Sequence, residues 1–328
     1  MINQKAFEGR NILILHPDFF GLGNIIAEAL RAIGASVETL STRPIKSILT
    51  RGLIRVSPLV GGKIVDGILY SSIANLEKLN FDTVLMVGGE GLTFAMVKYL
   101  RKKLPQAKFV AYLWDSIRNH PYHVQKLFLF DKVFSFDFED CLINKNWIYR
   151  PLFAADPYWN VIGPGESSIY FMGSYHAERL AVLRRFKNAG RISGIAGRYE
   201  MLSRGWIDTI RWRSVIGGDD IERLRTPLPP TELADRFSRH SAVLDIHHLG
   251  QSGLTLRTFE ALAAGRKLIT TNQNIVREPF YNPNRIQVID RNLPKIDLDF
   301  LLVPFIDETP RLPMRYSIQG WVREVVEK

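Results

Sequence analysis

The side chains best suited to chemistry surround a short apolar helix in the second half of the chain. Arg257 and Glu260 stand one turn apart inside the apolar run 254–264. The loop before this run contains the small residues Ser252 and Gly253. Backbone N–H groups at a helix N-terminus, together with the helix dipole, favour phosphate groups. We therefore expect a nucleotide at this loop.

Three elements must position these residues. Residues 242–246 form an apolar run that is typical of a buried strand, and a loop rich in small residues follows it. The helix 254–264 ends at Gly265, and residues 267–271 have the composition of the next strand. Strand, loop, helix and strand is the repeating unit of an α/β domain.

The same pattern has a purely structural interpretation. Most loops of this kind bind no ligand, and an arginine and a glutamate one turn apart in a helix often form an ion pair. The residues alone leave both interpretations open for Arg257 and Glu260.

Three segments together resemble a known family. Residues 257–265, RTFEALAAG, resemble the nucleotide-binding helix of retaining GT-B glycosyltransferases, in the form seen in the CgeB-like, group 1-like enzymes. Residues 171–179, FMGSYHAER, resemble the Gly-Ser segment and following arginine of that group. Residues 228–234, LPPTELA, resemble its lead-in to the helix before the strand at 242. The resemblance covers roughly residues 168–290.

The resemblance implies a role for each matching residue. Glu260 would accept hydrogen bonds from the ribose hydroxyls of the donor. Gly173 and Ser174 would approach the donor phosphates, at the first strand–helix turn of the second domain. Ser252 and Gly253 would donate backbone N–H groups to the distal phosphate. The candidate cations against the pyrophosphate are Arg179, Arg198 and Arg257.

Ser252 also marks a departure from the family pattern. Many retaining members have a second glutamate near the sugar, eight residues before the ribose-binding one, and Ser252 occupies that position here. Because serine carries no charge, the retaining and inverting outcomes both stay open.

Polar residues also follow the apolar runs of the first half of the chain. In open parallel sheets the ligand crevice lies at the carboxyl ends of the strands, so these residues are expected on one rim. They are His16, Asp18, Glu90 and Asp115. The apolar strands are predicted at 10–15, 36–40, 83–87, 108–113 and 132–136, with a helix at 25–33.

A GT-B enzyme would hold its acceptor and a general base at this rim. Glu90, between glycines, is the preferred acid or base, and Asp115 is the next candidate. His16 has a suitable ordinary pKa for the same role. The alternative is that these residues cap the following helices, which is the favoured interpretation for Asp115.

The adjacent pair His247 and His248 does not predict a metal site. Neighbouring residues on a strand point to opposite faces, and no third ligand stands at a useful spacing. We expect no metal and no cofactor beyond the donor substrate. His248 is instead a candidate for the lining of the donor pocket.

The charge balance is strongly basic. Lysine and arginine total 43 against 33 acidic residues, a formal net charge of +10. Residues 43–63 contain five cations and no acid, interleaved with apolar residues. This segment is typical of an interfacial segment on anionic lipid, although a solvated basic helix face would look the same. No nucleic-acid motif is found, so nucleic acid is not an expected partner.

Length and composition predict two domains. The 328 residues contain 46% hydrophobic residues, a single cysteine, Cys141, and no apolar run long enough to cross a membrane. The resemblance implies the α/β fold class, with two Rossmann-like domains of the GT-B type facing an interdomain cleft and a C-terminal helix crossing back to the first domain. The predicted domains are 1–155 for the acceptor, 156–312 for the nucleotide-sugar, and 313–328 for the crossover helix.

The resemblance implies that the protein transfers a sugar from a nucleotide-sugar donor. The acceptor would be a saccharide or a lipid-linked saccharide in surface polysaccharide or lipopolysaccharide synthesis, in the cytoplasm or at the inner face of the membrane. Arginines and N–H groups would stabilise the phosphate charge. The alternatives are a non-catalytic GT-B-like scaffold of a polysaccharide assembly complex and a sugar-nucleotide epimerase of the same fold.

Overall fold

The computed structural model of the protein describes residues 6–18, 21–43, 67–74, 76, 80–119, 121, 124–192, 194–203, 220–303 and 312–327. Apart from Arg43, the predicted interfacial segment 43–63 lies outside these residues. The chain divides into two compact units: Met1–Pro151 with Ile318–Lys328 is unit 1, and Leu152–Ser317 is unit 2. The boundaries at 155/156 and 312/313 remain predictions.

Unit 1 is a parallel sheet with the strand order β2-β1-β3-β4-β5-β6. Its strands are continuous apolar runs, as expected when helices cover both faces of a parallel sheet. Its elements are β1 Asn11–His16, α1 Leu22–Ala32, β2 Ser36–Ser41, β3 Thr83–Val87, α2 Phe94–Lys103, β4 Lys108–Leu113, α3 Val124–Leu127, β5 Lys132–Ser135, α4 Phe138–Ile143 and β6 Ile148–Tyr149.

The C-terminal helix completes unit 1, as predicted. This helix, Ile318–Glu327, packs against α1 and β4. Trp321 is fully buried and makes an edge-to-face contact with Tyr112, with the ring centroids 4.5 Å apart. The buried guanidinium of Arg150 lies 2.8 Å from the Glu324 carboxylate, which ties the helix to the end of the sheet.

Unit 2 is also a parallel sheet, with the order β12-β11-β10-β7-β8-β9. Its elements are α5 Asp156–Trp159, β7 Glu166–Ser174, α6 Ala177–Ile192, β8 Ala196–Leu202, β9 Glu222–Leu224, α7 Pro230–Ser238, β10 His240–Asp245, α8 Leu256–Ala263, β11 Lys267–Thr270, β12 Ile286–Val288 and α9 Leu298–Leu302.

The two sheets confirm the predicted α/β class with two Rossmann-like domains. In each sheet the strand order reverses direction at one place, between β1 and β3 in unit 1 and between β7 and β10 in unit 2. Ligands of open α/β sheets bind at this switch point, outside the carboxyl ends of the strands. Among the described helices, none combines the length and the apolar character that a membrane crossing requires.

Candidate functional site

The switch point of unit 2 is held together by Arg179. Its Nη1 donates to the carbonyl oxygen of Ser174 at 2.8 Å, at the end of β7. Its Nε donates to the carbonyl oxygen of Ile246 at 2.9 Å, just after β10. Burial lowers the pKa of Arg179, and the nearby Asp245 acts in the opposite direction. Arg179, which was predicted to bind phosphate, therefore lies at the switch point. Two of its side-chain nitrogens donate hydrogen bonds to the backbone at the ends of the two strands.

Gly173 allows this arrangement. Gly173 and Ser174 are the last two residues of β7, whereas the sequence placed them in the following turn. A Cβ at Gly173 would lie 3.0 Å from the Phe171 ring and 3.2 Å from the Cδ of Arg179. A larger residue at position 173 would displace the Arg179 side chain. The glycine therefore preserves the hydrogen bonds from Arg179 to the backbone at the ends of β7 and β10.

Asp245 fixes the start of the helix that carries Arg257 and Glu260. This buried carboxylate ends β10 and accepts hydrogen bonds from the hydroxyls of Thr255 at 2.9 Å, Thr270 at 3.2 Å and Thr258 at 3.4 Å. Thr255 stands at the N-cap of α8 but makes no side-chain cap bond, since its hydroxyl donates to Asp245. Burial raises the pKa of Asp245, and the Thr255 hydrogen bond opposes this effect.

The loop before α8 is oriented by two asparagines. Asn272 Nδ2 donates to the carbonyl oxygens of Ser252 at 3.3 Å and Gly253 at 3.1 Å, and Asn274 Nδ2 donates to that of Ser252 at 3.1 Å. Because a peptide bond is planar and trans, the N–H groups of Gly253 and Leu254 point the opposite way. The loop thus presents two successive N–H groups in one direction, as a phosphate-binding loop does.

The two adjacent histidines lie in this loop and have different surroundings. They follow β10, so the prediction that placed them on a strand was wrong about the element. His247 Nδ1 is 2.8 Å from the Thr271 hydroxyl, and its carbonyl accepts from Arg291 at 3.0 Å. Burial, followed by the charge of Arg291, lowers the pKa of His247 to about 4.

His248, by contrast, is exposed at the switch point. Its ring meets that of His176 edge to face, with the centroids 5.9 Å apart, so it bridges the loops after β7 and β10. Among the described residues, no cluster of three or more His, Cys, Asp or Glu could hold a metal ion. This position places His248 at the switch point together with Ser174 and Arg179.

Arg257 and Glu260 form the ion pair that the structural interpretation anticipated. Arg257 Nη1 lies 2.5 Å from Glu260 Oε2, and the two side chains are 14% and 12% exposed. The arginine lies over the Phe237 ring, 5.3 Å from its centroid. Burial opposes the charge of Arg257, but Glu260 together with Tyr158, Tyr170 and Asp245 outweighs this effect, so the pKa of the guanidinium is raised.

Tyr158 is the third polar residue at this pair. It is buried, and burial, followed by the charge of Glu260, raises the pKa of its hydroxyl. Tyr158 belongs to α5. No pattern in the sequence indicates its place beside Glu260, about a hundred residues later in the chain.

Arg198 does not join the other predicted residues. It pairs with Tyr170 in the first half of β8, four residues before Leu202 at the carboxyl end of the strand. At about 3.3 Å per residue this separation is roughly 13 Å. Its Nε donates to Glu200 at 2.9 Å and its Nη2 to Glu222 at 2.7 Å. The predicted phosphate contact of Arg198 is therefore not supported by its position.

At the switch point of unit 1, Thr42 connects His16 to Glu90. Its N–H donates to the carbonyl oxygen of His16 at 2.9 Å, and its hydroxyl donates to that of Glu90 at 2.5 Å. Glu90 also forms an ion pair with Arg43. Gly91 has a φ of +79°, and a Cβ there would lie 2.1 Å from the Thr42 oxygen, so only glycine fits. The structure thus brings His16 and Glu90 to one rim.

Asp18 and Asp115 lie at the same carboxyl edge. Asp18 is mostly exposed, with an oxygen 3.9 Å from the Nδ1 of the buried His16. Asp115 is half-buried and follows Trp114, just beyond the end of β4. The capping role favoured for Asp115 stays a prediction; at the next strand end, Asp137 caps α4, and its carboxylate accepts from the N–H of Glu139 at 3.0 Å.

Lys126 fixes the backbone that carries Glu90. Its buried ammonium donates to the carbonyl oxygens of Gly89 and Leu92, the second at 2.7 Å. Burial lowers the pKa of Lys126 to about 8, and the charge of Glu90 acts in the opposite direction. The rim of unit 1 is therefore a braced loop with a carboxylate at its centre.

Asp245 and Asn272 were also missed at the sequence level. Asp245 is the single acid in the apolar run 242–246, and a charge at the end of a buried strand was the available signal. Asn272 stands directly after the next predicted strand. Both residues act through hydrogen bonds to other loops, which spacing alone does not reveal.

Comparisons with known proteins relate part of unit 2 to a protein family. Residues 178–292 match the family model described as glycosyl transferase-like. No curated protein matches the sequence. The resemblance to GT-B glycosyltransferases is thus confirmed at the level of this family model and of the fold; the CgeB-like subtype remains a prediction.

Solved structures share this architecture at low sequence identity. One is a glycosyltransferase involved in avilamycin A biosynthesis, with a TM-score of 0.59, 14% identity, and coverage of 97% of this chain and 96% of that chain. Sucrose-phosphate synthase from Thermosynechococcus elongatus has a TM-score of 0.56 and 14% identity, covering 86% of each chain. UDP-GlcNAc 2-epimerase from Neisseria meningitidis, solved bound to UDP-GlcNAc, has a TM-score of 0.53 and 9% identity, covering 97% of this chain and 98% of that chain.

Proposed function

We propose that the protein is a glycosyltransferase that moves a sugar from a nucleotide-sugar donor to a saccharide or lipid-linked acceptor. The observation that carries the proposal is the switch point of unit 2, where β10, the loop after it and α8 lie inside the region that matches the glycosyl transferase-like family. There a braced loop with parallel N–H groups precedes a helix that carries a largely buried carboxylate, Glu260.

Each part of this site suits one part of the donor. The N–H groups of Gly253 and Leu254 suit the distal phosphate, with the N-terminus of α8 behind them. Glu260 suits the ribose, since a carboxylate accepts hydrogen bonds from two neighbouring hydroxyls. His248 and Ser174 lie at the switch point, where they would line the donor pocket. No metal is required, because N–H groups stabilise the diphosphate charge as it leaves.

In unit 1 we propose that Glu90 acts as the acid or base toward the acceptor, with His16 beside it. The acceptor class rests on the sequence: the net charge of +10 and the basic, apolar segment 43–63 suit an anionic or lipid-linked saccharide. We propose surface polysaccharide or lipopolysaccharide synthesis, at the inner face of the membrane, as the pathway and place.

The first test is nucleotide binding followed by thermal unfolding. UDP, GDP, dTDP, CMP and ADP are added in turn to the native protein, to Glu260→Ala and to Asp235→Ala, which removes an exposed carboxylate of α7 in the same unit. A ligand at a hundredfold excess over its Kd stabilises the folded state by about 2.7 kcal/mol. We expect one nucleotide to raise the melting temperature of the native protein and of Asp235→Ala, but not of Glu260→Ala.

Other outcomes point to the alternatives. A nucleotide-sugar that is converted without any acceptor would favour the epimerase. A folded protein that binds no nucleotide and co-purifies with a polysaccharide-assembly protein would favour the scaffold, and the transferase proposal would then fail.

A further inference from the structure

Arg257 is enclosed by aromatic and sulfur-containing side chains of unit 2. Its guanidinium carbon lies 5.3 Å from the centroid of the Phe237 ring, and its Nη2 lies 3.8 Å from the Sδ of Met172. Phe237 in turn packs against the rings of Tyr158 and Tyr170, each with a centroid distance of 5.7 Å. These contacts come from α5, β7 and α7, so three separate elements fix the position of one guanidinium.

The strongest contact of Arg257 is with Glu260. Its Nη1 lies 2.5 Å from Glu260 Oε2, while its Nε is buried without a hydrogen-bond partner and its Nη2 faces a thioether, which is a weak acceptor. A phosphate oxygen could bind this guanidinium strongly only by displacing Glu260 or by drawing the arginine off the Phe237 ring. Both changes would loosen the carboxylate that faces the ribose.

We infer that Arg257 is a positioning residue, which holds the Glu260 carboxylate in place for the ribose hydroxyls, and is not a ligand of the diphosphate. This inference rests on the proposed function and replaces the phosphate contact that the sequence suggested for Arg257. Since the pair is one turn apart on α8 and both side chains are largely buried, the carboxylate has one favoured rotamer while the arginine is present. Without the arginine, Glu260 would gain rotamer freedom that ribose binding must remove.

The test separates contacts with the ribose from contacts with the phosphates. We would measure the Kd of whichever of UDP, GDP and ADP binds the native protein, and the Kd of its 2′,3′-dideoxy analogue, for native protein, Arg257→Met and Arg257→Lys. Arg257→Met should raise the Kd of the ribonucleotide about tenfold, the effect of one charge-assisted hydrogen bond, and leave that of the analogue within about twofold. Arg257→Lys should retain part of the discrimination, since the ammonium can still contact Glu260.

Two controls address stability and additivity. Arg236→Met removes another arginine of unit 2, 17% exposed and paired with the buried Glu200, and should leave the ratio of the two Kd values unchanged. In a Glu260→Gln background, Arg257→Met should have little further effect, since coupled residues are not additive. If Arg257→Met does not fold, the Arg257→Lys ratio and its cycle with Glu260→Gln still decide the matter.

The outcomes also separate this inference from the proposed function. Equal weakening of both nucleotides by Arg257→Met would assign Arg257 to the phosphates and overturn the inference alone. An unchanged ratio of the two Kd values in that variant would do the same. A native protein that binds none of the three nucleotides, or that binds each as well as its dideoxy analogue, would overturn the role of Glu260 and therefore both proposals.

Discussion

The two units have the same type of sheet, yet their switch points are built differently. In unit 2 the partly buried Arg179 donates to backbone carbonyls at the ends of β7 and β10, and the buried Asp245 accepts from threonine hydroxyls. In unit 1 the charged residue at the switch point, Glu90, lies on the loop itself and pairs with Arg43. One switch point is organised to present the backbone, and the other to present a carboxylate.

This difference fits the proposal that unit 2 binds the diphosphate of the donor and unit 1 supports proton transfer. A diphosphate is held well by N–H groups that cannot change protonation, and the asparagines behind the Ser252–Gly253 loop fix their direction. A proton transfer needs a titratable side chain within reach of the acceptor, and Glu90 is the residue proposed for this role. Under the proposed function, the same fold position serves two tasks because the loop residues differ.

Replacing the carboxylate of unit 1 should give the largest effect. Glu90→Gln keeps the shape and the hydrogen-bonding groups but removes the base, so we expect kcat to fall by about a hundredfold to ten-thousandfold. The Kd of the donor nucleotide, measured by calorimetry, should stay unchanged because that site is assigned to unit 2.

The matched comparison is Glu260→Gln, which should raise the donor Kd with a smaller effect on kcat. If Glu90→Gln weakened the donor as strongly as Glu260→Gln, the division between the two units would be wrong. Steady-state kinetics with a saturating donor separate the two cases.

Removing the carboxylate that organises unit 2 should be the next largest effect. Asp245→Ala leaves the hydroxyls of Thr255, Thr258 and Thr270 without their common acceptor, at a cost of about 3 kcal/mol in the free energy of unfolding. Thr42→Val in unit 1 loses a single hydroxyl bond and should cost about 1 kcal/mol.

Urea unfolding, followed by hydrogen exchange in each unit, measures both changes. Asp245→Asn is the control, since its amide oxygen keeps an acceptor in place and it should lose less than Asp245→Ala. Equal losses for Asp245→Ala and Thr42→Val would show that unit 2 does not depend on this buried carboxylate.

The elements that position these sites were largely predictable from the sequence. The predicted strands 83–87 and 108–113 coincide with β3 and β4, because continuous apolar runs mark strands that are buried on both faces. The helix predicted at 254–264 contains α8, and Gly265, where it was predicted to end, has a φ of +70°. Patterns within a few neighbouring residues were enough for these elements.

The residue positions that could not be predicted from the sequence depend on contacts between distant segments. Tyr158 reaches the Arg257–Glu260 pair from a short helix about a hundred residues earlier in the chain. Arg198 lies in β8, where polar residues and a glycine obscure the strand pattern, so its distance from the carboxyl end could not be derived. Sequence spacing gives the face of an element, but register and packing decide which side chains meet.

Acid pH should affect the two units in opposite directions, which is the smallest of the expected effects. In unit 2, burial and Arg291 lower the pKa of His247 from 6.5 to about 4. The unfolded chain therefore binds more protons between these values, and unit 2 loses stability as the pH falls through this range. In unit 1, burial raises the pKa of Asp140 from 3.8 to about 6, so the folded state binds more protons and unit 1 gains stability as the pH falls from 6 to 4.

Hydrogen exchange at pH 6.5 and pH 4.5, compared between β10 and β5, measures this opposition. The loss in unit 2 should be on the order of 2 kcal/mol, after allowance for the partial exposure of His247, and His247→Gln should remove it. Asp140→Asn should remove the gain in unit 1. A loss in both units with these variants in place would mean that other carboxylates control the acid response. Opposite signs that each variant abolishes would show that the loop after β10 and helix α4 set the acid response of their own units.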